Sequence, residues 1–454
     1  MISSISPTDG RLLAEYEETT AVGVQESIDT AVTRQRDWET KSVPERAIPM
    51  LEMARLLEVH REELAQIMTD EMGKPIGQSR AEVDKCAWVC RHYAENTERI
   101  LQPDHIEADR SKSYVAYRPL GVVLAVMPWN FPLWQVYRFL APALMAGNGG
   151  LLKHASNVTG SALWIDQLAV EAGFPDGLFR TLVLPSSRVD EVLEHPGVVA
   201  ATLTGSDPAG RAVATKAGSL LKKTVLELGG SDPYIVLADA DLEKAAETCS
   251  ASRLINGGQS CISAKRFIVE ESVVDEFTDL MAAGLERAVM GDPRDEATTL
   301  GPLARIDLRD ELHDQVERSV SDGARLVMGG KVPDGPGAFY PPTLLADVVE
   351  GTAVYHEETF GPVAAVIAAK DVDDAVRIAN DTEFGLGAAV FTSDLEKGET
   401  LARDRIQAGA CFVNALVASD PRLPFGGVKM SGYGRELSDM GMKEFLNAKT
   451  VVVA

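Results

Sequence analysis

The chain has 454 residues, 45% of them hydrophobic and 25% charged, which is enough apolar sequence for two or three domains and excludes fibrous, disordered and small disulfide-stapled proteins. Its 44 Lys and Arg residues against 68 Asp and Glu residues give a net charge of −24, the opposite of a surface that binds nucleic acid. We therefore expect no nucleic-acid partner.

The N-terminal sequence and the cysteines indicate a cytoplasmic protein. The first residues carry neither a basic segment nor an apolar one, and the longest apolar run, 120–127, is far shorter than the ~20 residues of a membrane span. Five dispersed cysteines without a CxxC motif fit a reducing compartment. Cys86 and Cys90 lack a second pair of ligands, so we expect neither a metal site nor contact with a membrane.

The first half of the chain reads as helices followed by an alternating α/β series. Periodic apolar positions predict helices through most of residues 1–100, with a break at Gly73–Pro75, and residues 101–118 look like a β excursion that forms an arm. From Pro119 onward, helices alternate with predicted strands, and this pattern is typical of a doubly wound parallel sheet. The predicted strands are 120–126, 149–153, 180–184, 198–203 and 224–228.

A second α/β series follows Gly229-Gly230, where we place the domain boundary and an interdomain cleft. Its predicted strands are 234–237, 266–269, 363–367, 388–391 and 410–414, and its predicted helices are 241–255, 273–289 and 304–321.

A phosphate site is the first candidate function. The usual GxGxxG signature is absent, but Thr204-Gly205-Ser206 follows an apolar strand and opens a helix, whose free N–H groups and positive dipole end can hold a phosphate. The alternative is an ordinary strand-to-helix turn with Asp207 near the N-cap.

Three further residues could perform covalent chemistry. Cys261, in Asn-Gly-Gly-Gln-Ser-Cys between a helix and a strand, is placed like a nucleophile or is a core cysteine. Glu227, at a strand end before two glycines, is a candidate general base or a paired carboxylate. Asn130, between two prolines, can donate to an oxyanion or stabilise a turn.

Together, these segments resemble the aldehyde dehydrogenase superfamily over nearly the whole chain. The motifs occur in one order: PWNFP (128–132), Lys153, TGS (204–206), ELGG (227–230), GQSC (258–261), EETFGP (357–362) and PFGG (424–427). The resemblance implies a cofactor domain of residues 1–100 and 119–229, and a catalytic domain of residues 230–430. It also implies an oligomerisation arm of residues 101–118 with a terminal strand at 447–454, in a homodimer or homotetramer. Because the chain starts later than many members, we expect no N-terminal hairpin.

The resemblance also assigns roles to individual residues. Cys261 would be the nucleophile, Glu227 the base that activates water, and Asn130 the oxyanion donor together with the Cys261 N–H group. The implied cofactor-binding residues are Trp129, Lys153, Ser156, Gly205, Ser206, Glu358 and Phe360. Lys153 would reach the adenosine ribose, Ser206 the pyrophosphate and Glu358 the nicotinamide ribose, and Phe360 would pack beside the nicotinamide.

Departures from the family pattern indicate the cofactor and the substrate. Ser156 stands where many members carry a carboxylate that binds both ribose hydroxyls, so a 2′-phosphate is not repelled and we expect NADP, with NAD as the alternative. Arg138 shares a helix face with Trp134, and an arginine on an apolar wall needs an anion. We expect it to bind a substrate carboxylate, with Ser260 and Ser419 as further substrate-binding residues. A pairing of Arg138 with a protein carboxylate is the alternative.

The sequence therefore resembles the short succinate-semialdehyde dehydrogenases most. The alternatives are a CoA-acylating semialdehyde dehydrogenase, a dehydrogenase for another ω-carboxy or neutral aldehyde, and a non-catalytic protein on the same scaffold. Glu227 argues against CoA, since a base for hydrolysis would then be unnecessary.

Overall fold

The computed structural model describes all 454 residues, and its first elements form a hairpin and a helical layer. They are β1 (Ile2–Ile5), β2 (Leu12–Tyr16), α1 (Ala21–Trp38), α2 (Val43–Val59), α3 (Arg61–Met72) and α4 (Ile76–Ile100). The antiparallel hairpin of β1 and β2 corrects the expectation that no N-terminal hairpin is present. Ser42 begins α2 with a capping box that involves Glu45, and Gly73, at φ 78°, ends α3.

The next part of the chain forms two sheets. Its elements are β3 (Asp104–His105), β4 (Lys112–Pro119), β5 (Val122–Met127), α5 (Trp134–Met145), β6 (Gly149–His154), α6 (Thr159–Glu171), β7 (Phe179–Thr181), α7 (Val189–Glu194), β8 (Val198–Thr204), α8 (Asp207–Ser219) and β9 (Lys223–Glu227). Strands β5 to β9 pair in parallel in the order β9-β8-β5-β6-β7.

The last part builds the larger sheet. Its elements are β10 (Pro233–Val236), α9 (Leu242–Leu254), β11 (Arg266–Glu270), α10 (Val274–Glu286), α11 (Ile306–Ser321), β12 (Arg325–Met328), β13 (Thr343–Ala346), α12 (Ala353–His356), β14 (Val363–Ala369), α13 (Val372–Asn380), β15 (Gly387–Phe391), α14 (Leu395–Thr400), β16 (Ala410–Val413), β17 (Gly432–Tyr433), α15 (Ser438–Glu444) and β18 (Leu446–Val453). The sheet order is β12-β13-β14-β11-β10-β15-β16, with only β12 antiparallel.

The two large sheets confirm the α/β class, and the connection from β9 to β10 passes from one sheet to the other through residues 228–232. Short β17 returns from the last part of the chain and pairs with β9, so the two halves are joined at that edge. Strand β18 pairs antiparallel with β4, and β3 completes a separate three-stranded sheet. The sequence predicted neither β12 nor β13.

Candidate active site

Several loops meet at the carboxyl edge of the smaller sheet. Parallel strands β5, β6, β8 and β9 end at the same edge, and the residues that follow them therefore lie near one another. The loop after β5 carries Trp129 and Asn130, the end of β6 carries Lys153, Gly205 and Ser206 follow β8, and Glu227 ends β9.

The loop that carries Cys261 approaches this edge from the other half of the chain. It follows α9, and Asn256, Gly257 and Gly258 all adopt positive φ angles of 53°, 62° and 76°. At Gly258 a β-carbon would lie 2.2 Å from the Gly361 carbonyl oxygen, so only glycine fits there. This backbone path places Cys261 outside regular structure.

Two cavities meet at the Cys261 side chain. One, which we call the edge cavity, has a volume of about 470 Å³ and lies along the sheet edge. The other, which we call the helix cavity, has a volume of about 290 Å³ and lies against α4 and α5. Cys261 lines both, so two different molecules can reach one thiol from separate cavities.

Hydrogen-bond donors surround the same position. The Asn130 side-chain nitrogen donates to the Gln259 carbonyl oxygen at 3.1 Å and keeps its second N–H. The Cys261 backbone N–H makes no hydrogen bond within the protein. The two groups are available to stabilise an oxyanion on the carbonyl oxygen of a substrate whose carbon is bonded to the sulfur.

Two buried cations that sequence reasoning missed hold the Cys261 loop. Lys265 Nζ donates to the carbonyl oxygens of Ser260, Cys261 and Ser263 at 2.9, 2.8 and 3.2 Å. The Arg253 guanidinium donates to the carbonyl oxygens of Ala264 and Gly258. The signal for Lys265 was a cation four residues after the nucleophile, directly before the predicted strand 266–269.

The thiol of Cys261 is neutral at pH 7 in this structure. Burial raises the pKa of Cys261 to about 12, while the charges of Arg138 and Lys265 act in the opposite direction. The nucleophilic thiolate is therefore a minor species before substrate and cofactor bind.

Glu227 lies near the site but lines neither cavity. A β-carbon on Gly426 would lie 2.6 Å from Glu227 Oε1, so the carboxylate rests against that glycine, and neither oxygen has a hydrogen-bond partner. Burial raises the pKa of Glu227 well above its usual value, and the nearby Glu436 carboxylate raises it further. The Glu227 carboxyl group is thus buried against Gly426, outside the two cavities.

The edge cavity brings together five of the seven residues assigned to the cofactor. Trp129, Gly205, Ser206, Glu358 and Phe360 all line it, and the rings of Trp129 and Phe360 meet edge to face with centroids 5.6 Å apart. Glu358 Oε1 accepts a hydrogen bond from Gly230 N at 3.0 Å.

Lys153 and Ser156 lie beside this cavity and not in its lining. The Lys153 side chain is only 6% exposed, and burial alone lowers its pKa, because no charged group lies near it. Ser156 is exposed and begins a short 3₁₀ turn directly after β6. No carboxylate holds the Lys153 ammonium.

The helix cavity contains the residues assigned to the substrate. Trp134, Ser260 and Ser419 line it, and Lys85, which the sequence analysis did not single out, joins them. Glu82 also reaches its wall, but this carboxylate is occupied. It accepts the N–H groups of Leu133 and Trp134 at 2.9 Å each and pairs with buried Lys74. Glu82 thus fixes the start of α5.

Arg138 lies in the helix cavity and also has a protein partner. It lines the helix cavity, yet its guanidinium forms a buried ion pair with Glu436, donates to Thr204 Oγ1 at 3.1 Å and lies over the Phe425 ring. The pair with Glu436 is the contact that the alternative interpretation expects, and the position of Arg138 in the cavity lining is the one that substrate binding requires. The signal for Glu436 was an acidic residue in Gly-Tyr-Gly-Arg-Glu, a segment the sequence analysis did not examine.

Comparisons with known proteins agree with this geometry. Residues 1–451 match the aldehyde dehydrogenase family. The chain is 48% identical over 454 residues to an NADP(+) succinate-semialdehyde dehydrogenase of Mycobacterium avium, covering 99% of this chain and 96% of that protein. It is 47% identical over 448 residues to Sad of Escherichia coli, a succinate semialdehyde dehydrogenase named for NAD(P)+, covering 99% and 97%.

A solved structure has nearly the same backbone fold as this chain. The succinic semialdehyde dehydrogenase of Streptococcus pyogenes in complex with NADP+ superposes with a TM-score of 0.98 at 37% identity and covers 100% of both chains. Separately, no helix in this structure combines the length and apolar character needed to cross a membrane.

Proposed function

The chain belongs to the aldehyde dehydrogenase family, and on that premise we propose that it oxidises succinate semialdehyde to succinate with NADP as the hydride acceptor. The single observation that carries the proposal is that Cys261 lines both cavities. The aldehyde enters the helix cavity and the cofactor occupies the edge cavity. Both then meet at one sulfur atom.

Cys261 is the nucleophile of the first step. Its thiolate attacks the aldehyde carbon, a C–S bond forms, and the carbonyl oxygen becomes an oxyanion. The free N–H of Asn130 and the Cys261 backbone N–H stabilise this charge, each contributing about 3 kcal/mol by comparison with known oxyanion donors. Lys265 and Arg253 keep the loop in place through its carbonyl oxygens.

The edge cavity fits a dinucleotide. Gly205 and Ser206 stand before the N-terminus of the 13-residue helix α8, where free N–H groups suit a pyrophosphate. Glu358 suits the nicotinamide ribose, and Phe360 suits the ring. When bound, NADP accepts the hydride that leaves the substrate carbon.

NADP is the proposed cofactor because of Lys153 and Ser156. The Lys153 ammonium has no carboxylate partner and can pair with a 2′-phosphate. Ser156 adds no negative charge to oppose that phosphate. A carboxylate at position 156 would favour ribose hydroxyls and NAD instead.

Glu227 is the base of the second step. After hydride loss the acyl group is a thioester on Cys261, and Glu227 takes a proton from the water that attacks it. The C–S bond breaks, the acid leaves, and the thiolate is restored. The raised pKa of Glu227 makes its deprotonated form a stronger base than a free glutamate, and Glu227 has to lose its own proton before it can accept one from water.

Turnover with and without CoA tests the proposal. The purified enzyme should reduce NADP with succinate semialdehyde as the only other substrate, and added CoA should leave the rate unchanged. The control is the same assay with butanal, which has the same carbon chain without the carboxylate. A strict requirement for CoA, or no reduction with succinate semialdehyde, would contradict the proposal.

The three-stranded sheet of β3, β4 and β18 is the proposed oligomerisation arm of a cytoplasmic homodimer or homotetramer. Strand β18 is an eight-residue edge strand, and Val452 and Val453 are about half exposed on it. A long exposed edge of this kind pairs readily with another chain. Removal of residues 447–454 should lower the mass measured by light scattering, and an unchanged mass would contradict the assignment.

A further inference from the structure

We propose that the buried ion pair of Lys74 and Glu82 positions Asn130, the oxyanion donor, by fixing the loop that carries it. This loop, residues 128–133 between β5 and α5, we call the Asn130 loop. Neither member of the pair donates to the oxyanion, so both are positioning residues that act through the loop. The inference rests on the proposed function, because it assumes that an oxyanion forms on a substrate bonded to Cys261.

Lys74 and Glu82 are buried as a pair. Their side chains are 1% and 2% exposed, and Lys74 Nζ contacts Glu82 Oε2. Lys74 follows Gly73 in the break between α3 and α4, and Glu82 lies on α4. A buried ion pair often adds little net stability, so we infer that this pair serves to fix the geometry around it.

Glu82 fixes the end of the Asn130 loop. Helix α5 begins at Trp134 without a side-chain cap from its own segment. Glu82 Oε1 takes the place of that cap, because it accepts the N–H groups of Leu133 and Trp134 at 2.9 Å each. A carboxylate at this end of a helix satisfies N–H groups that have no partner within the helix and interacts favourably with the helix dipole.

Lys74 fixes the middle of the same loop. Its ammonium lies over the ring of Phe131, 3.9 Å from the ring centroid, and Phe131 directly follows Asn130. This is a cation–π contact in a buried setting, where such contacts are strongest. The residues after Asn130 are therefore tied to the segment 74–82, while the Asn130 carbonyl oxygen accepts a hydrogen bond from Asn256 Nδ2 at 2.6 Å.

The position of the Asn130 amide matters because an oxyanion donor acts only where the charge develops. A displacement of about 1 Å, caused by a change away from the reacting atoms, can lower a rate about 100-fold. Release of the Asn130 loop should therefore slow the chemical step even when NADP is saturating.

The test uses two double variants that leave no unpaired charge. Lys74→Met/Glu82→Gln, the acceptor-retaining variant, keeps an oxygen for the two N–H groups at the start of α5. Lys74→Met/Glu82→Leu, the acceptor-free variant, removes it. The measurement is the single-turnover rate constant for NADPH formation, with enzyme in excess over succinate semialdehyde and NADP saturating. We expect a fall of about 10- to 100-fold in the acceptor-free variant and of less than about fivefold in the acceptor-retaining one.

A double-mutant cycle with Asn130→Ala separates positioning from general damage. In the wild-type background Asn130→Ala should lower the rate constant about 100- to 1000-fold, as for loss of an oxyanion donor. In the acceptor-free background its further effect should be about tenfold smaller, because a displaced amide has less to lose. Equal effects in the two backgrounds would overturn the inference.

Glu71→Leu is the matched control. Glu71 is also a buried carboxylate at a helix start, where it accepts the N–H groups of Gly160 and Ser161 at 2.8 and 3.0 Å, but that helix is α6. The variant should lower Tm and keep the single-turnover rate constant within about twofold of wild type, since the two sites are independent. A fall as large as that of the acceptor-free variant would overturn the inference.

Hydrogen–deuterium exchange gives a readout that needs neither turnover nor a variant. The N–H groups bonded to Glu82 should be protected in the wild-type enzyme, so a peptide of residues 130–136 should exchange slowly. Complete exchange of this peptide at the shortest labelling time would overturn the inference, even if the acceptor-free variant failed to fold.

The outcomes for this inference and for the proposed function are distinct. A wild-type enzyme that reduces no NADP with succinate semialdehyde or with butanal contradicts both. An active wild type whose two double variants have equal rate constants leaves the proposed function in place and overturns the positioning role of Lys74 and Glu82.

Discussion

Replacement of Arg138 by leucine tests whether this arginine stabilises the protein or binds the substrate. The Arg138 side chain is 2% exposed and that of Glu436 is 5% exposed, so the variant leaves a buried carboxylate without its counter-ion. Breaking a buried pair by removing one partner costs about 3–5 kcal/mol. For a chain of this length, that corresponds to a fall of about 3–5 °C in Tm.

The loss of stability in Arg138→Leu depends on pH, because it depends on the protonation of Glu436. Without Arg138, burial holds the pKa of Glu436 above its value in the unfolded chain, because the charge that opposed the effect is gone. The native variant then binds more protons than the unfolded variant above the ordinary carboxyl pKa, so its stability falls as pH rises. The stability deficit against wild type should thus be larger at pH 8 than at pH 5.

Calorimetry and kinetics together decide the role of Arg138. We expect the double variant Arg138→Leu/Glu436→Met to recover most of the lost Tm, because it leaves no unpaired charge. We also expect Arg138→Leu to reduce kcat/KM for succinate semialdehyde and for butanal by similar factors. A wild-type Tm combined with a loss of about 30-fold or more for succinate semialdehyde alone would refute the reasoning and return the substrate carboxylate to Arg138.

Four further outcomes check the chemistry of the site. Cys261→Ala should bind NADP with wild-type affinity by fluorescence titration and show no turnover, because no thioester can form; measurable turnover would exclude Cys261 as the nucleophile. Glu227→Gln should release one burst of NADPH in stopped-flow measurements and then stall as the thioester, whereas normal steady-state turnover would exclude its role as base. Iodoacetamide alkylates the thiolate, and burial raises the pKa of Cys261 to about 12. In the cofactor-free enzyme the alkylation rate should therefore rise about tenfold per pH unit from about pH 6 to about pH 9. A rate that reaches a plateau below about pH 8 would contradict this. Ser156→Glu should shift the ratio of kcat/KM for NADP to kcat/KM for NAD toward NAD by about 1–3 kcal/mol, or roughly 10- to 100-fold. The reason is that the new carboxylate would repel a 2′-phosphate paired with Lys153. An unchanged ratio would contradict the placement of the 2′-phosphate beside Ser156.

The parts of the fold that sequence predicted are those with local signals. Strand β5 is a continuous hydrophobic run and β8 is mostly apolar, because both faces of a parallel sheet are covered by helices, and glycine or proline bounds each strand. The hairpin at the N-terminus lacks that signal. In β1 the residues facing inward are Ile2 and Ser4, and Ser4 is buried because its hydroxyl bonds to Glu71 and to the Asn157 carbonyl. Because a polar serine occupies an inward-facing position, β1 lacks the alternation of apolar and polar residues by which a half-buried strand is predicted.

The site residues also divide into those that a local sequence pattern marks and those whose position depends on distant parts of the chain. Cys261 is marked by its own neighbours, since the glycines before it are required by the left-handed backbone and by the approach of Gly361. The position of the Glu227 carboxylate against Gly426 depends on a loop far away in the chain. No local pattern in the segment around Glu227 predicts this contact.

A cation on the wall of the helix cavity needs an anion, and the sequence alone does not show whether a protein group or a ligand supplies it. Arg138 and Lys85 both lie on helices that line this cavity, Arg138 among mostly apolar neighbours and Lys85 directly after Asp84. The two cations differ in the partners that the fold brings to them. The segment after β17 brings Glu436 to Arg138, while Lys85 contacts the Ser419 hydroxyl. A guanidinium makes several directed hydrogen bonds and suits a permanent buried pair with Glu436, Thr204 and Phe425. An ammonium whose single partner is a hydroxyl, as at Lys85, keeps two N–H donors free.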